Sequence, residues 1–314
     1  MEPRTIADLS VHPIGLGCMP LSGKSMLAER PRALATVHAA LDSGMTLLDT
    51  ADIYAPDGAR FGHNESLVAE ALRTWGGSES DRERVVVATK GGITRVAGPD
   101  GDVWGRAGSS EALGAAARAS AARLGVDVID LYFLHRLDPS VSYDEQIGGL
   151  AQVQADGVAR RIGLSNVTLA QLDRALELVG GPEAGGIVAV ENEFSPRYRR
   201  DADVLSRCTE RGIVFLPWSP LGGAHEAGEL GSRYAPFADV AAARGVPAQQ
   251  VALAWLMALG PTVLPIPGST RPATARSSAE AADLVLIADE VARLSATPAE
   301  DASVFPDDLP APPM

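Results

Sequence analysis

Four side chains of kinds that move protons stand close behind apolar runs. Asp49 and Tyr54 lie in Leu48-Asp-Thr-Ala-Asp-Ile-Tyr, Lys90 in Val87-Ala-Thr-Lys, and His135 in Leu131-Tyr-Phe-Leu-His. A free phenol, with pKa about 10, is a poor acid at neutral pH. An ammonium about 4 Å away, at an effective dielectric near 20, stabilises the phenolate by roughly 4 kcal/mol before desolvation costs, which brings proton transfer within reach of pH 7. A carboxylate beside the lysine would hold it charged and aimed. An imidazole would lend a hydrogen bond to an oxygen that gains charge. Each residue alone has an ordinary reading. A strand-end aspartate is commonly a turn or cap residue, a lysine a solvated charge, a histidine structural, and a tyrosine packed under a loop. His12, His38, His63 and His225 are read as structural. Taken jointly, the four read as a proton-transfer site.

Such a site needs a scaffold that brings several strand ends to one rim. Apolar runs recur at Pro13–Cys18, Thr46–Asp49, Val85–Lys90, Val128–His135, Arg160–Ser165, Ile187–Glu191, Ile213–Trp218 and Val263–Pro267. Several are apolar almost throughout, as strands buried on both faces must be. Amphipathic stretches lie near Pro31–Ser43, Asn64–Trp75, Ser109–Leu124, Tyr143–Asp156, Thr168–Val179, Ala202–Arg211, Ala248–Leu259 and Pro272–Ala282. Pro31 and Pro272 suit a first helical position and Ser109 and Thr168 suit N-caps, while Gly44, Gly125, Gly157 and Gly212 fall where helices end. After a short hairpin over Arg4–Val11, this order predicts one α/β domain over residues 1–314, a (β/α)8 TIM barrel. A doubly wound sheet is the structural rival. The Pro-rich acidic tail, Ala296–Met314, is expected to run over the barrel or border the pocket mouth. Function in a barrel sits at the carboxyl ends of its strands. There Asp49, Lys90, His135, Ser165 with Asn166, Glu191, Trp218 and Ser269 close one run after another.

Composition narrows the partners. The 46% hydrophobic content over 314 residues is ample for one large core. A net charge of −13 and a pI near 4.8 repel nucleic-acid phosphates, yet a local arginine cluster can still hold a small anion. Cys18 and Cys208 lie far apart and without metal-ligand spacing, so no metal is expected. Reduced thiols, and an N-terminus without a basic then apolar leader, imply a cytoplasmic protein. The most apolar stretch, Val251–Leu259, is too short for a bilayer, which takes about 20 residues. We expect a monomer or weak oligomer that acts on a small molecule.

The chain resembles an aldo-keto reductase from Arg4 to about Ala282. The matching stretches are Ile14-Gly-Leu-Gly-Cys-Met, Leu48-Asp-Thr-Ala-Asp-Ile-Tyr, Gly62-His-Asn-Glu, Ala88-Thr-Lys, His135-Arg-Leu-Asp-Pro, Ile162-Gly-Leu-Ser-Asn, Trp218-Ser-Pro-Leu-Gly and Pro265-Ile-Pro-Gly-Ser. The resemblance implies a tetrad of Asp49, Tyr54, Lys90 and His135 that reduces an aldehyde or ketone with NADPH. Hydride reaching a carbonyl carbon leaves an alkoxide, and Tyr54 would supply its proton. It also implies that Gly17, Cys18 and Met19 border the cofactor and that Ser165, Asn166 and Glu191 meet its nicotinamide carboxamide. Trp218 would stack on the ring, with Ser219, Leu221 and Gly222 near the pyrophosphate. Ser269, Thr270, Arg271 and Arg276 would surround the 2′-phosphate of NADP+ at a helix start, where backbone N–H groups favour anions. Met19, Trp104 and the loop from His225 to Arg233 would line the substrate pocket. A Rossmann fingerprint is absent, since Pro20 stands where the third glycine would follow Gly15 and Gly17.

Four positions depart from the family pattern. Glu191 replaces a common glutamine, Ser277 and Ser278 replace glutamate and asparagine, and Gly268 replaces the lysine of some branches. An ionised glutamate only accepts hydrogen bonds, and we expect Glu191 in that charged form; the register leaves Asn192 as the other occupant of its place. The rival readings are a non-catalytic NADP(H)-binding regulatory subunit on the same barrel and a metal-dependent barrel isomerase. The intact tetrad speaks against the first, and the lack of a carboxylate and histidine cluster against the second.

Overall fold

The computed structural model describes residues 2–224 and 226–306. An antiparallel hairpin of β1 (Arg4–Ile6) and β2 (Leu9–Val11) comes first. The strands that follow are β3 (Leu16–Gly17), β4 (Leu47–Asp49), β5 (Val86–Gly91), β6 (Ile93–Gly98), β7 (Gly101–Arg106), β8 (Leu131–Leu134), β9 (Ile162–Ser165), β10 (Ile187–Glu193) and β11 (Val214–Trp218). The helices are α1 (Arg30–Asp42), α2 (His63–Thr74), α3 (Glu79–Glu83), α4 (Ser110–Leu124), α5 (Tyr143–Ala155), α6 (Leu169–Val179), α7 (Ala202–Glu210), α8 (Leu230–Arg233), α9 (Ala235–Arg244), α10 (Ala248–Ala258), α11 (Pro272–Glu280) and α12 (Ala288–Ser295). Seven parallel strands pair in the order β11-β10-β9-β8-β5-β4-β3, while β6 and β7 form a separate hairpin.

The ring closes through Val263–Gly268, which is not the regular strand that its apolar run predicts. Leu264 and Ile266 donate to the carbonyls of Phe215 and Pro217 at 2.9 and 3.2 Å, and Gly15 and Gly17 donate to those of Pro265 and Pro267 at 3.0 and 3.1 Å. Pro265 and Pro267 have no N–H to return to β3, so that ladder carries bonds in one direction only. The result is a (β/α)8 barrel whose last strand is an extended bridging segment.

Alternation along each strand builds two layers. Leu47, Val86, Ala88, Leu131, Phe133, Ala189, Val214, Leu216, Leu264 and Ile266 fill the barrel, and Ile6 and Val11 of the hairpin join them. Leu48, Val87, Tyr132, Leu134, Val190 and Phe215 point the other way and pack under the helices. Each such side chain contributes about 1.5–3 kcal/mol of burial, which is why strands apolar on both faces settle in this layer. Helix ends follow local chemistry. Ser109 and Thr168 accept from the N–H groups of Ala112 and Gln171, and Gly125 ends α4 at φ 72°. Among the described residues, no helix is long and apolar enough to cross a membrane.

Candidate active site

Extending the inward columns by two residues brings polar groups to the carboxyl rim. Leu47 leads to Asp49, Ala88 to Lys90, Phe133 to His135, Ala189 to Glu191 and Leu216 to Trp218. Strand period alone therefore gathers the expected side chains. Lys90 is fully buried, and its Nζ donates to Asp49 Oδ1 at 2.5 Å and to the Thr50 carbonyl at 3.0 Å. Glu191 Oε1 lies 3.3 Å from the same Nζ. Tyr54 reaches the group from the loop after β4, with its ring centroid 5.1 Å from Nζ, and His135 meets that ring edge-on at 5.7 Å. Asp49, Tyr54, Lys90 and His135 are thus assembled as the sequence leads one to expect.

The electrostatics amend that expectation. Burial, only partly opposed by Lys90, raises the Tyr54 phenol well above its ordinary value. Lys90 therefore does not bring the phenol down to neutrality; it limits the rise, and Tyr54 stands fully protonated, as a proton donor should. Burial would lower Lys90, but Asp49, Glu191 and Tyr54 together push it up, so the ammonium stays charged. Burial, then Lys90, Arg136 and Arg106, lower His135 far below its usual range, which leaves a neutral imidazole. Its Nδ1 is buried without a hydrogen-bond partner among the described residues.

Around this centre, Asn166 ties three strand ends together. Its Nδ2 donates to the His135 carbonyl at 3.0 Å and to Ser165 Oγ at 2.9 Å, and its Oδ1 accepts from Trp218 Nε1 at 3.2 Å. Asn166 and Ser219 adopt left-handed backbone, with φ of 59° and 47°. Such conformations in residues other than glycine are uncommon, and they cluster at functional rims. The register resolves the choice at β10. Glu191 faces the barrel, whereas Asn192 faces outward and bonds Val167 and Asp201. Glu191 is raised to about 8 by burial and by Asp49, against the pull of Lys90, so it is largely protonated at neutral pH and not in the charged form expected.

Other expected residues divide. Cys18 is a core residue: its side chain is fully buried, its Sγ lies 3.6 Å from the Leu16 carbonyl, and its own N–H is taken by Asp49 O. Gly17 packs against the closing segment, where a Cβ would meet Ile266 O at 2.8 Å. Met19 is exposed at the rim. Leu221 is half-buried, and Gly222 follows Ser219 with its N–H on the Ser219 carbonyl at 2.9 Å. Ser269 Oγ accepts from the Arg271 N–H at 3.3 Å, Thr270 is half-buried, and Arg271 and Arg276 point outward without an ion-pair partner among the described residues. Ser277 Oγ is occupied by Gln250 Nε2 at 3.0 Å, and Ser278 is buried. His12, His38 and His63 hold hydrogen bonds with the Ile14 carbonyl, the Ala71 carbonyl and Ser22 Oγ. His225 and residues 307–314 lie outside the described residues.

One part of the rim escapes the sequence reading, the β6–β7 hairpin, and another is the tail expected to border the mouth. Arg95 on β6 donates to the carbonyls of Ile53 and Ala55 on either side of Tyr54, at 3.4 and 2.5 Å. Its guanidinium lies 4.7 Å from the centroid of half-exposed Trp104, so the hairpin braces the tyrosine loop. The signal was present in Gly98-Pro-Asp-Gly101, a turn between two short alternating runs. Residues 300–306 cross the opposite side of the rim. Ser303 Oγ and the Val304 N–H donate to buried Glu193, and Phe305 packs 6.0 Å from Trp218. A cavity of about 660 Å3 opens there between Asn166, Glu193, Trp218 and Phe305. A larger one, about 1010 Å3, lies at the hairpin end beside Asp8, Arg160 and Arg161, away from the proton-transfer group.

Residues 13–297 match the aldo/keto reductase family. The chain belongs to that family. As an aldo/keto reductase it is an oxidoreductase, and it is 36% identical over 280 residues to a 6-dehydroglucose reductase of Novosphingobium aromaticivorans, covering 85% of this chain and 87% of the relative. It is 31% identical over 292 residues to an uncharacterised oxidoreductase of Schizosaccharomyces pombe, with 92% and 87% covered. Among solved structures, an aldo/keto reductase from Klebsiella pneumoniae in complex with NADP and acetate superposes with a TM-score of 0.73 at 27% identity, covering 91% of each chain.

Proposed function

We propose that this aldo/keto reductase reduces an aldehyde or ketone to an alcohol with NADPH, and that Tyr54 gives the proton. The observation that carries the reading is the buried contact of Tyr54, Lys90, Asp49 and His135 at the carboxyl rim. The rim fits a dinucleotide. Asn166 and Ser219 hold left-handed turns at two strand ends, half-buried Trp218 offers a ring face, and exposed Arg271 and Arg276 flank the start of α11. Ser165 and Asn166 would hold the nicotinamide end, Ser219, Leu221 and Gly222 the pyrophosphate, and Ser269, Thr270, Arg271 and Arg276 the 2′-phosphate. When bound, the cofactor supplies a hydride to the carbonyl carbon.

The protein's part is positioning and proton transfer. Neutral His135 donates a hydrogen bond to the carbonyl oxygen and fixes its place beside the phenol. As charge grows on that oxygen, the Tyr54 O–H passes its proton to it, and Lys90 stabilises the phenolate left behind. Asp49 keeps the ammonium aimed. Met19 and Trp104 stand exposed at the mouth, where they would touch the substrate. A panel of aldehydes and ketones, including sugar carbonyls, followed with NADPH at the cofactor's absorbance, tests the reading. Turnover of at least one class is expected. Tight NADPH binding with no turnover across a broad panel would overturn it in favour of a regulatory subunit.

A further inference from the structure

Glu191 is an inward-facing ionisable group of the rim that this scheme leaves unused. Lys90 takes two carboxyls: Asp49 from the adjacent strand at 2.5 Å and Glu191 from β10, three places round the sheet, at 3.3 Å. Both are buried, and Glu191 Oε2 has no hydrogen-bond partner among the described residues. A buried ionised carboxylate with an unsatisfied oxygen is costly. One ammonium balances one carboxylate, so this pocket is neutral when one of its two carboxyls holds a proton. Asp49 sits closer to Nζ, which leaves the proton to Glu191.

We propose that Glu191 is a positioning residue that acts through Lys90: protonated, it leaves the ammonium's charge to Tyr54 and the developing alkoxide, and ionised, it draws on that charge and makes Tyr54 hold its proton harder. The groups facing Glu191 are Asp49 from β4 and Lys90 from β5, with Tyr54 beyond Lys90 and His135 beyond Tyr54. Its register partners on the flanking strands, Ser165 and Leu216, carry no charge. Ionised Glu191 is among the charges that push the Tyr54 phenol up, and its own rise to about 8 places the change on the alkaline side of neutrality. The raised carboxyl is neutral below that pH and charged above it, so reduction weakens as pH climbs through it.

The effect on turnover rests on the carbonyl-reduction reading, so the test has two arms. Carbon-13 titration of the glutamate carboxyls reads Glu191 without turnover. One resonance should titrate near pH 8, vanish in Glu191→Gln, and move to higher pH in Lys90→Met. A Glu191 carboxyl that titrates in the ordinary acid range overturns the proposal. In the second arm, kcat/KM for reduction is followed from pH 6 to pH 9.5. The wild type should fall roughly threefold to tenfold through the inflection, while Glu191→Gln, which keeps an acceptor for Lys90, stays flat over that range. A merely structural Glu191 would lower Tm in Glu191→Gln and leave the two profiles parallel, which overturns the proposal. A wild type that reduces no carbonyl yet shows the alkaline carboxyl titration overturns the functional reading and upholds the coupling.

Discussion

In the proposed reaction Tyr54 donates from a site where burial holds the phenol firmly protonated, so its hydroxyl matters when the alkoxide forms and not when cofactor binds. Tyr54→Phe should therefore abolish reduction and leave NADPH affinity almost unchanged. Retention of more than about a tenth of wild-type kcat/KM, a loss below roughly 1.4 kcal/mol, would remove Tyr54 from the role. Cofactor choice rests on another residue. Arg276 is exposed on α11 and has no ion-pair partner among the described residues, so its charge is free for a 2′-phosphate. Arg276→Ala should weaken NADPH by about 1.5–3 kcal/mol and barely affect NADH. Fluorescence titration with both cofactors checks this, and equal weakening would make Arg276 a structural residue. Asp49, Lys90 and His135 were legible in the sequence because period-two alternation carries each inward column to the rim, and Tyr54, on the loop after β4, through the motif Leu48-Asp-Thr-Ala-Asp-Ile-Tyr. The protonation of Glu191 was not, because it depends on burial and on the Asp49 carboxyl, which the fold brings across the barrel.

Elements were legible where a single period governs them, and illegible where the signal was short or interrupted. The eight amphipathic stretches all form helices, with ends shifted by one or two residues. The eighth strand reads as apolar, but Pro265 and Pro267 deny it a full ladder on the β3 side. The β6–β7 hairpin was missed because its alternation is brief, and α9 and α12 because they decorate the barrel outside its eightfold order. Two glycine substitutions test this account with opposite signs. At Gly17 a Cβ would meet the Ile266 carbonyl at 2.8 Å, so β3 must part from the closing segment. Gly17→Ala should cost about 1–3 kcal/mol in urea unfolding, as overpacking does. Gly148 sits within α5 with nothing within 4 Å of a built Cβ, and Gly148→Ala should add roughly 0.5–1 kcal/mol through helix propensity. Equal effects at the two sites would show that barrel closure does not depend on that contact.

Across the whole molecule, several buried carboxyls are held above their ordinary values, and this sets how stability answers to pH. Burial raises Asp52 well above its usual range, Asp201 to about 6 and Glu191 to about 8. A carboxyl with a raised folded pKa binds more protons folded than unfolded, so stability falls as pH rises from its unfolded value to its folded one. For Asp201 that window runs from about 4 to about 6, and for Glu191 from about 4.5 to about 8. Paired carboxylates such as Asp8, Asp102 and Asp138 are lowered, and they lose stability only below the ordinary carboxylate range. The net charge of −13 adds self-repulsion as pH climbs. The raised carboxyls thus favour the acid side of neutrality, while His12, His63 and His135, lowered by burial, cost stability there once the pH falls below their unfolded value. Asp201 gives the sharpest test, since it stands at the start of α7, where the helix dipole would favour its charge by about 0.3–1 kcal/mol. Burial, which raises it to about 6, works against that dipole and outweighs the Asn192 hydrogen bond. Asp201→Asn keeps an acceptor for Asn192 Nδ2, now 2.9 Å from the carboxylate, and removes the charge. The variant should melt higher than wild type at pH 8, by a few degrees at most for a protein of this size, and at the same temperature at about pH 3.5, below that window. A variant that melts lower at pH 8 would mean that the carboxylate is stabilised where it sits, and that the dipole and not burial governs it.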